Sequence, residues 1–245
     1  LKPRAPVFPL AALVGQEKMV GALLILAVEP SLGGLLLVGE KGTAKSTAAR
    51  ALAEIMPEIS AVAGCPYHCA VDDPGAFCYE CRMKYYLGED LQVSPSRSPF
   101  RTVPLGVTED RLLGGLDWER TLKSGRPTLR PGILGEANGG LVYIDEVNLL
   151  EISLAHLLLD AVSAGRVTLE REGLSASYPA KVALLATMNP EEGQLGPQLA
   201  DRFALTVHLS GETEPAKRAE VVRRRLAFEA DPVAFRANYA DRTAE

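Results

Sequence analysis

The sequence predicts an α/β fold built on a parallel sheet. Short apolar segments typical of strands alternate along the chain with longer segments that have helical periodicity. The segment "AKVALLATMNP" (180–190) lacks polar alternation, as expected for a strand in the middle of a parallel sheet. A Gly-rich stretch, "GEKGTAKST" (39–47), lies between a predicted strand and a predicted helix, which is where such folds bind phosphate.

The predicted elements follow one another in a regular order. Strands are expected at 34–39, 59–64, 140–146, 180–190 and 204–209. Helices are expected at 15–30, 45–56, 149–165 and 215–230. A β-hairpin is expected at 166–179, turning near Glu172 and Gly173. The region 87–140 is rich in Gly, Pro and Ser, so we expect loops and insertions there.

Composition and charge narrow the class of protein. The chain has 245 residues, of which 47% are hydrophobic and 23% charged, as in ordinary globular proteins. A net charge of −5 argues against a general binder of nucleic acid or of anionic membranes. The longest apolar stretch (19–28) is about half of what a helix needs to cross a bilayer, and no signal peptide is recognisable. We therefore expect a cytoplasmic protein with neither nucleic acid nor membrane as a partner.

The Gly-rich stretch follows the phosphate-loop pattern G-x-x-x-x-G-K-S/T at all but one position. Gly39, Lys45 and Ser46 fit the pattern, and Ala44 replaces its second glycine. We expect Ala44 to be tolerated because this position borders the helix start, while Gly42 still lets the backbone fold around phosphate.

The residue types of this loop indicate how it would bind a nucleotide. Backbone N–H groups from Lys41 to Ser46 would surround the phosphates, Lys45 would pair with the β and γ oxygens, and Ser46 would bind Mg²⁺. The predicted nucleotide contacts of the loop are Gly39, Glu40, Lys41, Gly42, Thr43, Ala44, Lys45, Ser46 and Thr47.

Polar residues at two predicted strand ends complete a candidate catalytic set. In "LVYIDE", Asp145 suits Mg²⁺ through water, and Glu146 suits a base that orients the attacking water. Asn189 could hydrogen-bond that water or the γ-phosphate. The alternatives are an acidic strand end that faces solvent and an Asn that caps the next turn.

Arg202, in "QLADRFAL", is a candidate arginine finger. In that role it would reach the γ-phosphate of a neighbouring subunit and stabilise the charge that develops there, so the active form would be an oligomer. The alternative is a surface ion pair between Asp201 and Arg202.

Longer strings resemble the ATPase I subunit of magnesium chelatase, an AAA+ family of the chelatase and MoxR-like clade. The resemblance covers most of 7–226. It is carried by "VGQEKM" (14–19), "GEKGTAKST", "PLGVTEDRLLGGLD" (104–117), "GILGEANGGLVYIDEVNLLE" (132–151), "ATMNPEEGQLGPQLADRF" (186–203) and the helix containing "VVRRR" (221–225).

The resemblance implies an AAA+ P-loop NTPase core. Such a core has a five-stranded parallel sheet, an insert of the helix-2 type and a β-hairpin before sensor 1, here 87–140 and 166–179. It places Val14, Gly15 and Gln16 on the adenine side, and it makes Asp145 and Glu146 the Walker B pair, Asn189 sensor 1 and Arg202 the finger. It also implies an ATPase domain at 1–229, with 230–245 as the start of a linker toward a C-terminal lid absent from this chain.

The family also implies an activity and partners. A member is a subunit of a homo-oligomeric ring, expected to be a hexamer, that hydrolyses ATP with Mg²⁺. The ring works with a D-type subunit and drives a large H-type subunit, which inserts Mg or Co into a tetrapyrrole. The alternative is a MoxR-like protein-remodelling ATPase with no link to tetrapyrroles. A nucleic-acid motor is disfavoured because Glu170 and Glu172 outweigh Arg171 at the hairpin tip.

All four cysteines lie in one short segment, "GCPYHCAVDDPGAFCYECR" (64–82). Cys65, Cys69, Cys78 and Cys81 have the spacing C-x₃-C-x₈-C-x₂-C, and two close pairs can converge on one tetrahedral centre. The segment has few large apolar residues, so we expect a metal rather than burial to hold the loop at 65–82 in shape.

The cysteine spacing leaves three interpretations open. The thiolates could hold Zn²⁺, they could hold a 4Fe–4S cluster, or they could be free or disulfide-prone thiols without a metal. His68 could replace one thiolate, but its place beside Cys69 would strain double ligation. A thioredoxin-like redox pair is disfavoured because the C-x-x-C at 78–81 is not expected to open a helix after a strand.

Overall fold

The computed structural model describes residues 6–125, 128–171 and 174–241. In chain order the described strands are β1 (Leu35–Gly39), β2 (Ile59–Val62), β3 (Val93–Ser96), β4 (Phe100–Val103), β5 (Gly114–Leu116), β6 (Leu129–Pro131), β7 (Leu141–Ile144), β8 (Arg166–Arg171), β9 (Leu174–Pro179), β10 (Ala183–Met188) and β11 (Leu205–Leu209). The described α-helices are α1 (Glu17–Val28), α2 (Lys45–Ile55), α3 (Tyr79–Tyr86), α4 (Glu109–Leu113), α5 (Trp118–Ser124), α6 (Ile133–Glu136), α7 (Ile152–Ala164), α8 (Pro197–Ala200), α9 (Pro215–Ala230) and α10 (Pro232–Ala237).

Five of these strands form the central sheet. Their order is β11–β1–β10–β7–β4, and every neighbouring pair is parallel. The predicted α/β fold with a five-stranded parallel sheet is therefore confirmed. The four predicted helices are also present, with ends that shift by no more than three residues.

Alternation along the strands divides the apolar residues between two layers. In β1, Leu35 and Leu37 face a layer that contains α1 and α2, whereas Leu36 and Val38 face a layer that contains α7 and the cysteine segment. All five residues of β1 are buried because helices or loops cover both faces of the sheet. In a parallel sheet the carboxyl ends of all strands lie on the same side. The loops after β1, β7 and β10 therefore lie close together.

One strand assignment differs from the prediction. The segment expected at 59–64 is a strand, β2, but it pairs antiparallel with β3 in a separate two-stranded sheet. The fifth strand of the central sheet is instead β4, which lies inside the predicted insert region 87–140 and pairs with β7. β4 has only four residues, and as an edge strand it leaves Thr102 exposed, so it lacks the apolar run that marks the buried strands.

The predicted hairpin at 166–179 is present as β8 and β9, which pair in register from Arg166 opposite Pro179. Its predicted turn at Glu172 and Gly173 lies outside the described residues. The prediction that acidic residues, Glu172 among them, dominate the hairpin tip therefore stays a prediction.

The end of the chain packs against its beginning. Phe235 in α10 contacts Phe8, Phe228 of α9 and Tyr239, with ring centroids 5.0 to 5.8 Å apart. Residues 232–237 are therefore helical and anchored, while the division into an ATPase domain and a linker at 230 stays a prediction. Among the described helices, none is long and apolar enough to span a membrane.

Candidate functional site

The phosphate-type loop joins β1 to α2 and contains two residues with positive φ. Gly42 has a φ of 91°, a conformation that glycine adopts without strain. Ala44 has a φ of 64° and a ψ of 16° and is the N-cap of α2. The expectation that Ala44 lies in a comfortable helix-start conformation is wrong, because this left-handed conformation favours glycine.

Lys45 is buried at the first position of α2 and turns back over the loop. Its ammonium donates hydrogen bonds to the carbonyl oxygens of Gly39 and Glu40, the latter at 2.8 Å. Burial lowers the pKa of Lys45 from its ordinary value of 10.5, and the charges of Asp145, Glu146 and Glu192 oppose that effect. The lysine therefore lies within the electrostatic reach of the acidic pair.

Asp145 and Glu146 follow β7 and are held by a hydroxyl of the neighbouring strand. Thr187, fully buried in β10, donates to Asp145 Oδ1 at 2.7 Å and accepts the backbone N–H of Glu146 at 3.0 Å. Tyr143 donates to the same Asp145 oxygen at 2.7 Å. Glu146 has a left-handed backbone conformation, with a φ of 56°.

The pKa of Tyr143 responds to both Asp145 and Ser46. Burial first, and then the hydrogen bond to Asp145, raises the pKa of Tyr143, while a hydrogen bond with the Ser46 hydroxyl opposes the rise. The predicted magnesium-binding groups, Ser46 and Asp145, thus both act on this phenol. Sequence reasoning missed Tyr143 and Thr187, although each is a polar-tipped side chain in an otherwise apolar strand end.

Asn189 directly follows the neighbouring strand, β10, and is buried. Its side-chain oxygen accepts the backbone N–H of Glu191 at 3.2 Å, so it caps the short 3₁₀ turn Pro190–Glu192. Asn148 donates to the Asn189 carbonyl oxygen at 3.3 Å. The capping role considered as an alternative is therefore present, and the sensor role of Asn189 stays a prediction.

Val14, Gly15 and Gln16 lie at the same edge of the sheet. Gln16 Nε2 donates to the carbonyl oxygen of Ser210 at 3.1 Å, and Ser210 directly follows Leu209, which pairs with Gly39. Gly15 has a φ of 71° and is closely approached by the carboxylate of Glu212. This segment borders the phosphate-type loop, as an adenine-side contact requires.

Arg202 lies away from the other predicted catalytic residues. Its backbone packs against Gly33, just before β1, whereas the phosphate-type loop follows β1 about 16 Å along the strand. Its guanidinium bonds to Asp160 of α7, and not to Asp201 as the alternative supposed. Arg202 is therefore too far from Lys45 of the same chain for the two side chains to contact one nucleotide.

The four cysteine sulfurs form a second, separate cluster. Their Sγ atoms all lie within 4.8 Å of one another, and Cys65 Sγ and Cys78 Sγ are 3.8 Å apart. Among the described residues the cluster contains these cysteines and not His68. Hydrogen bonds from the thiols of Cys69 and Cys78 lower the pKa of Cys65, and the same contact with Cys65 raises the pKa of Cys69.

Two expectations concern this segment. First, burial contributes more to the segment than expected: Phe77 is 1% exposed, and Cys69, Cys78 and Cys81 join the larger apolar core, although much of the segment between them is exposed or half-buried. Second, the C-x-x-C does open a helix, since Cys78 is the N-cap of α3 and Cys81 lies in its first turn. The element before it is a 3₁₀ turn, Pro74–Ala76, and not a strand of the central sheet, so it still lacks the thioredoxin-like arrangement.

The fold and the loop–carboxylate geometry define a P-loop nucleotide-binding protein of the AAA+ type. The family model "Magnesium chelatase, subunit ChlI" matches residues 89–211. The magnesium-chelatase 38 kDa subunit of Acidiphilium rubrum is 49% identical over 95% of this chain and 67% of that protein. The magnesium-chelatase subunit ChlI homolog of Methanocaldococcus jannaschii is 47% identical over 94% of this chain and 62% of that protein.

A solved structure gives the same result. It models the complex between subunits BchI and BchD of magnesium chelatase from a single-particle cryo-EM reconstruction. The match has a TM-score of 0.72 and 44% identity, and it covers 98% of this chain and 72% of that one. The chain belongs to the magnesium-chelatase subunit ChlI family, as the resemblance predicted, and it spans roughly two thirds of the length of the two named relatives.

Proposed function

We propose that this chain is the ATP-hydrolysing motor subunit of a metal chelatase. The observation that carries the proposal is the placement of Lys45 in the loop after β1, and of Asp145 and Glu146 directly after β7, at the carboxyl ends of strands of one parallel sheet. Membership of the chelatase family supports the same activity. ATP hydrolysis by this chain would drive the insertion of Mg²⁺, or of Co²⁺, into a tetrapyrrole by a partner subunit.

The nucleotide would replace contacts that the loop now makes with itself. Lys45 would exchange the carbonyl oxygens of Gly39 and Glu40 for phosphate oxygens. The hydroxyl of Ser46 and the carboxylate of Asp145 are oxygen donors, which are the ligands that Mg²⁺ prefers. When bound, Mg²⁺ supplies positive charge that stabilises the phosphates during cleavage.

The remaining roles concern the attacking water and the neighbouring subunit. Glu146 would accept a proton from the water, and Asn189 would orient the water if its side chain turns from the cap of Glu191. Arg202 would act on the nucleotide of an adjacent subunit, since the phosphate-type loop of its own chain lies at the other end of the strands. The active form would then be a homo-oligomeric ring, a hexamer.

The test of the proposed activity is ATP turnover by the purified chain and by two Glu→Gln variants. Glu146→Gln is expected to bind ATP with an unchanged Kd and to lose turnover by at least about 100-fold. The matched control is Glu151→Gln, because Glu151 is exposed and lies five residues further on. A Glu146→Gln variant that hydrolyses ATP at the parent rate would overturn the assignment.

The partners proposed for this chain are a D-type subunit and a large H-type subunit. The support for the D-type partner is the BchI–BchD complex of the structural relative. Mixing the chain with both subunits from the same genome, a porphyrin, ATP and Mg²⁺ or Co²⁺ should yield the metallated product. ATP turnover without binding to either subunit would instead support a protein-remodelling ATPase.

We also infer that the cysteine cluster binds a metal apart from the nucleotide site. Four sulfurs within 4.8 Å, three of them on buried residues, support that role. Close thiols make it unfavourable for all four to ionise together, and a bound cation relieves that repulsion.

A further inference from the structure

We propose that the cysteine cluster holds a single Zn²⁺ ion, and that this zinc centre fixes the β8–β9 hairpin to the body of the domain. The inference deepens the metal binding proposed above for the same cluster. It does not depend on the proposed ATPase activity.

The sulfur–sulfur distances favour one ion over an iron–sulfur cluster. A tetrahedral Zn²⁺ with Zn–S bonds of about 2.3 Å places its sulfur ligands about 3.8 Å apart. Cys65 Sγ and Cys78 Sγ are 3.8 Å apart, and no pair in the set exceeds 4.8 Å. The cysteine sulfurs around a 4Fe–4S cube lie farther apart than those around a single ion, because iron and sulfide fill the centre.

A backbone donor at the cluster points to a thiolate ligand. The N–H of Cys78 donates to Cys69 Sγ at 3.2 Å. Such N–H···S bonds stabilise thiolate, which is the form of cysteine that binds a metal.

The ligand set also identifies the class of metal and its role. Four sulfur donors suit Zn²⁺ and exclude hard cations such as Mg²⁺, which take oxygen ligands. Four protein ligands would saturate a tetrahedral ion and leave no position for water or substrate, so the centre is structural.

The loop that carries the cysteines contacts the hairpin directly. Tyr67, between the first two cysteines, packs its ring on Tyr178 of β9 with centroids 4.6 Å apart. Both rings are at least nine-tenths buried. Lys181, just after β9, pairs with Asp73 of the same loop through an N–O contact of 2.6 Å.

A buried amide joins these elements to the strand that leads to the acidic pair. Asn138 donates to the carbonyl oxygens of Tyr67 and His68 at 2.9 and 3.1 Å, and it accepts the N–H of Lys181 at 2.9 Å. Asn138 lies three residues before β7, and Asp145 directly follows that strand. Ordering of residues 65–81 by zinc therefore orders the base of the hairpin and the approach to β7.

The first experiment measures zinc, iron and acid-labile sulfide in the full chain purified without air. One colourless Zn²⁺ per chain is expected, and Co²⁺ that replaces it should show the absorption of a tetrahedral thiolate site. About four irons with matching sulfide would overturn the zinc assignment and leave metal binding at the cluster intact. A chain with neither metal would overturn both.

Variants locate the metal and separate it from the nucleotide site. Cys69→Ser should lose zinc, whereas Asp73→Asn should keep one Zn²⁺ per chain, because Asp73 lies in the same loop but contacts Lys181 instead of the cluster. Lys45→Ala should keep zinc and lose ATP binding. Full zinc content in Cys69→Ser, or zinc loss in Lys45→Ala, would contradict the assignment.

Chelation of the parent protein tests the hairpin contact without relying on a variant that folds. Removal of zinc should speed amide hydrogen exchange in β9 about tenfold or more, while exchange in β1 stays unchanged, and added Zn²⁺ should reverse the effect. Unchanged exchange in β9 after complete removal of zinc would overturn the proposed role in holding the hairpin.

Discussion

At the scale of single residues, Ala44 carries a conformational cost at the start of α2. Its left-handed backbone, with a φ of 64°, brings its Cβ close to the following carbonyl and costs about 1–2 kcal/mol. Ala44→Gly removes this cost but adds about 0.4–1 kcal/mol of unfolded-state entropy. We therefore expect the free energy of unfolding to rise by about 0.5–1 kcal/mol in urea titrations.

The control for Ala44→Gly is the same substitution within α2. Ala53 lies inside the helix, so Ala53→Gly should lower the free energy of unfolding by about 1 kcal/mol. Changes of the same sign at both positions would show that Ala44 is not strained.

Thr187 is a positioning residue whose hydroxyl serves both members of the acidic pair. Thr187→Val keeps the shape of the side chain but leaves Asp145 Oδ1 with one donor fewer and the N–H of Glu146 without its acceptor. We expect kcat for ATP hydrolysis to fall about tenfold or more, since the Glu146 backbone loses the contact that holds its left-handed conformation.

Thr187→Ser is the matched variant, because it retains the hydroxyl. It should restore most of kcat, and both variants should bind ATP without Mg²⁺ equally well. If Thr187→Val and Thr187→Ser have equal kcat values, the hydroxyl takes no part in ATP hydrolysis. If the two variants also lose the same free energy of unfolding, Thr187 contributes to packing alone.

The two groups of site residues differ in how far sequence predicts them. Lys45 and Ser46 follow from spacing within one loop, because nine consecutive residues carry both the turn and the ligands. Tyr143 and Thr187 lie 44 positions apart and meet only because β7 and β10 are neighbours in register. A side chain that acts through a neighbouring strand has no local pattern in the sequence.

At the scale of elements, one carboxylate holds the edge strand β4 to the helices beside it. Glu136, at the end of α6, accepts hydrogen bonds from Arg101 of β4 at 2.9 Å and from Arg111 of α4 at 2.7 Å. Burial alone would raise the pKa of Glu136, but these hydrogen bonds outweigh it and lower the pKa below its ordinary value of 4.5.

The sign of the shift predicts how stability depends on pH. A depressed folded-state pKa stabilises the fold above about pH 4.5, and this contribution is lost as the pH falls through the folded value. Glu136→Gln should therefore cost about 1 kcal/mol at pH 7, since both arginines are partly exposed, and the cost should shrink as the pH falls below 4.5 and the carboxylate of the parent protein becomes protonated.

Glu119→Gln provides the comparison, because Glu119 and Lys123 form an exposed pair within α5. Its effect on unfolding should stay near zero at every pH. A Glu136→Gln penalty that is constant from pH 7 to pH 3 would contradict the proposed ionic contribution.

Elements are predictable from sequence where their environment is uniform. β1 and β10 are buried on both faces, so each is a continuous apolar run that the sequence displays directly. β4 is an edge strand and α3 is a short helix with one buried residue, Cys81, so neither has a strong period. The sequence of the cysteine segment does not reveal its burial, because Tyr67 of this segment packs on Tyr178 of β9, about 100 residues away.

At the scale of the whole molecule, the phosphate-type loop lies at the carboxyl ends of the strands, whereas Arg202 lies at their amino ends. The proposed finger role of Arg202 would therefore require the phosphate-type loop of a neighbouring subunit. Arg202→Ala should lose ATP turnover while it retains ATP binding, and Lys45→Ala should lose both. Asp160→Asn, which removes only the present partner of Arg202, should keep turnover.

Mixing these two inactive variants distinguishes an interface from a single-chain site. In a ring assembled at random from equal amounts of Lys45→Ala and Arg202→Ala subunits, about one interface in four pairs an intact loop with an intact finger. Turnover should therefore recover to about a quarter of the parent value, and recovery should follow the rate of subunit exchange. No recovery in rings shown to contain both variants would place Arg202 outside the neighbouring site, and turnover by Arg202→Ala alone would reduce it to the surface pair with Asp160.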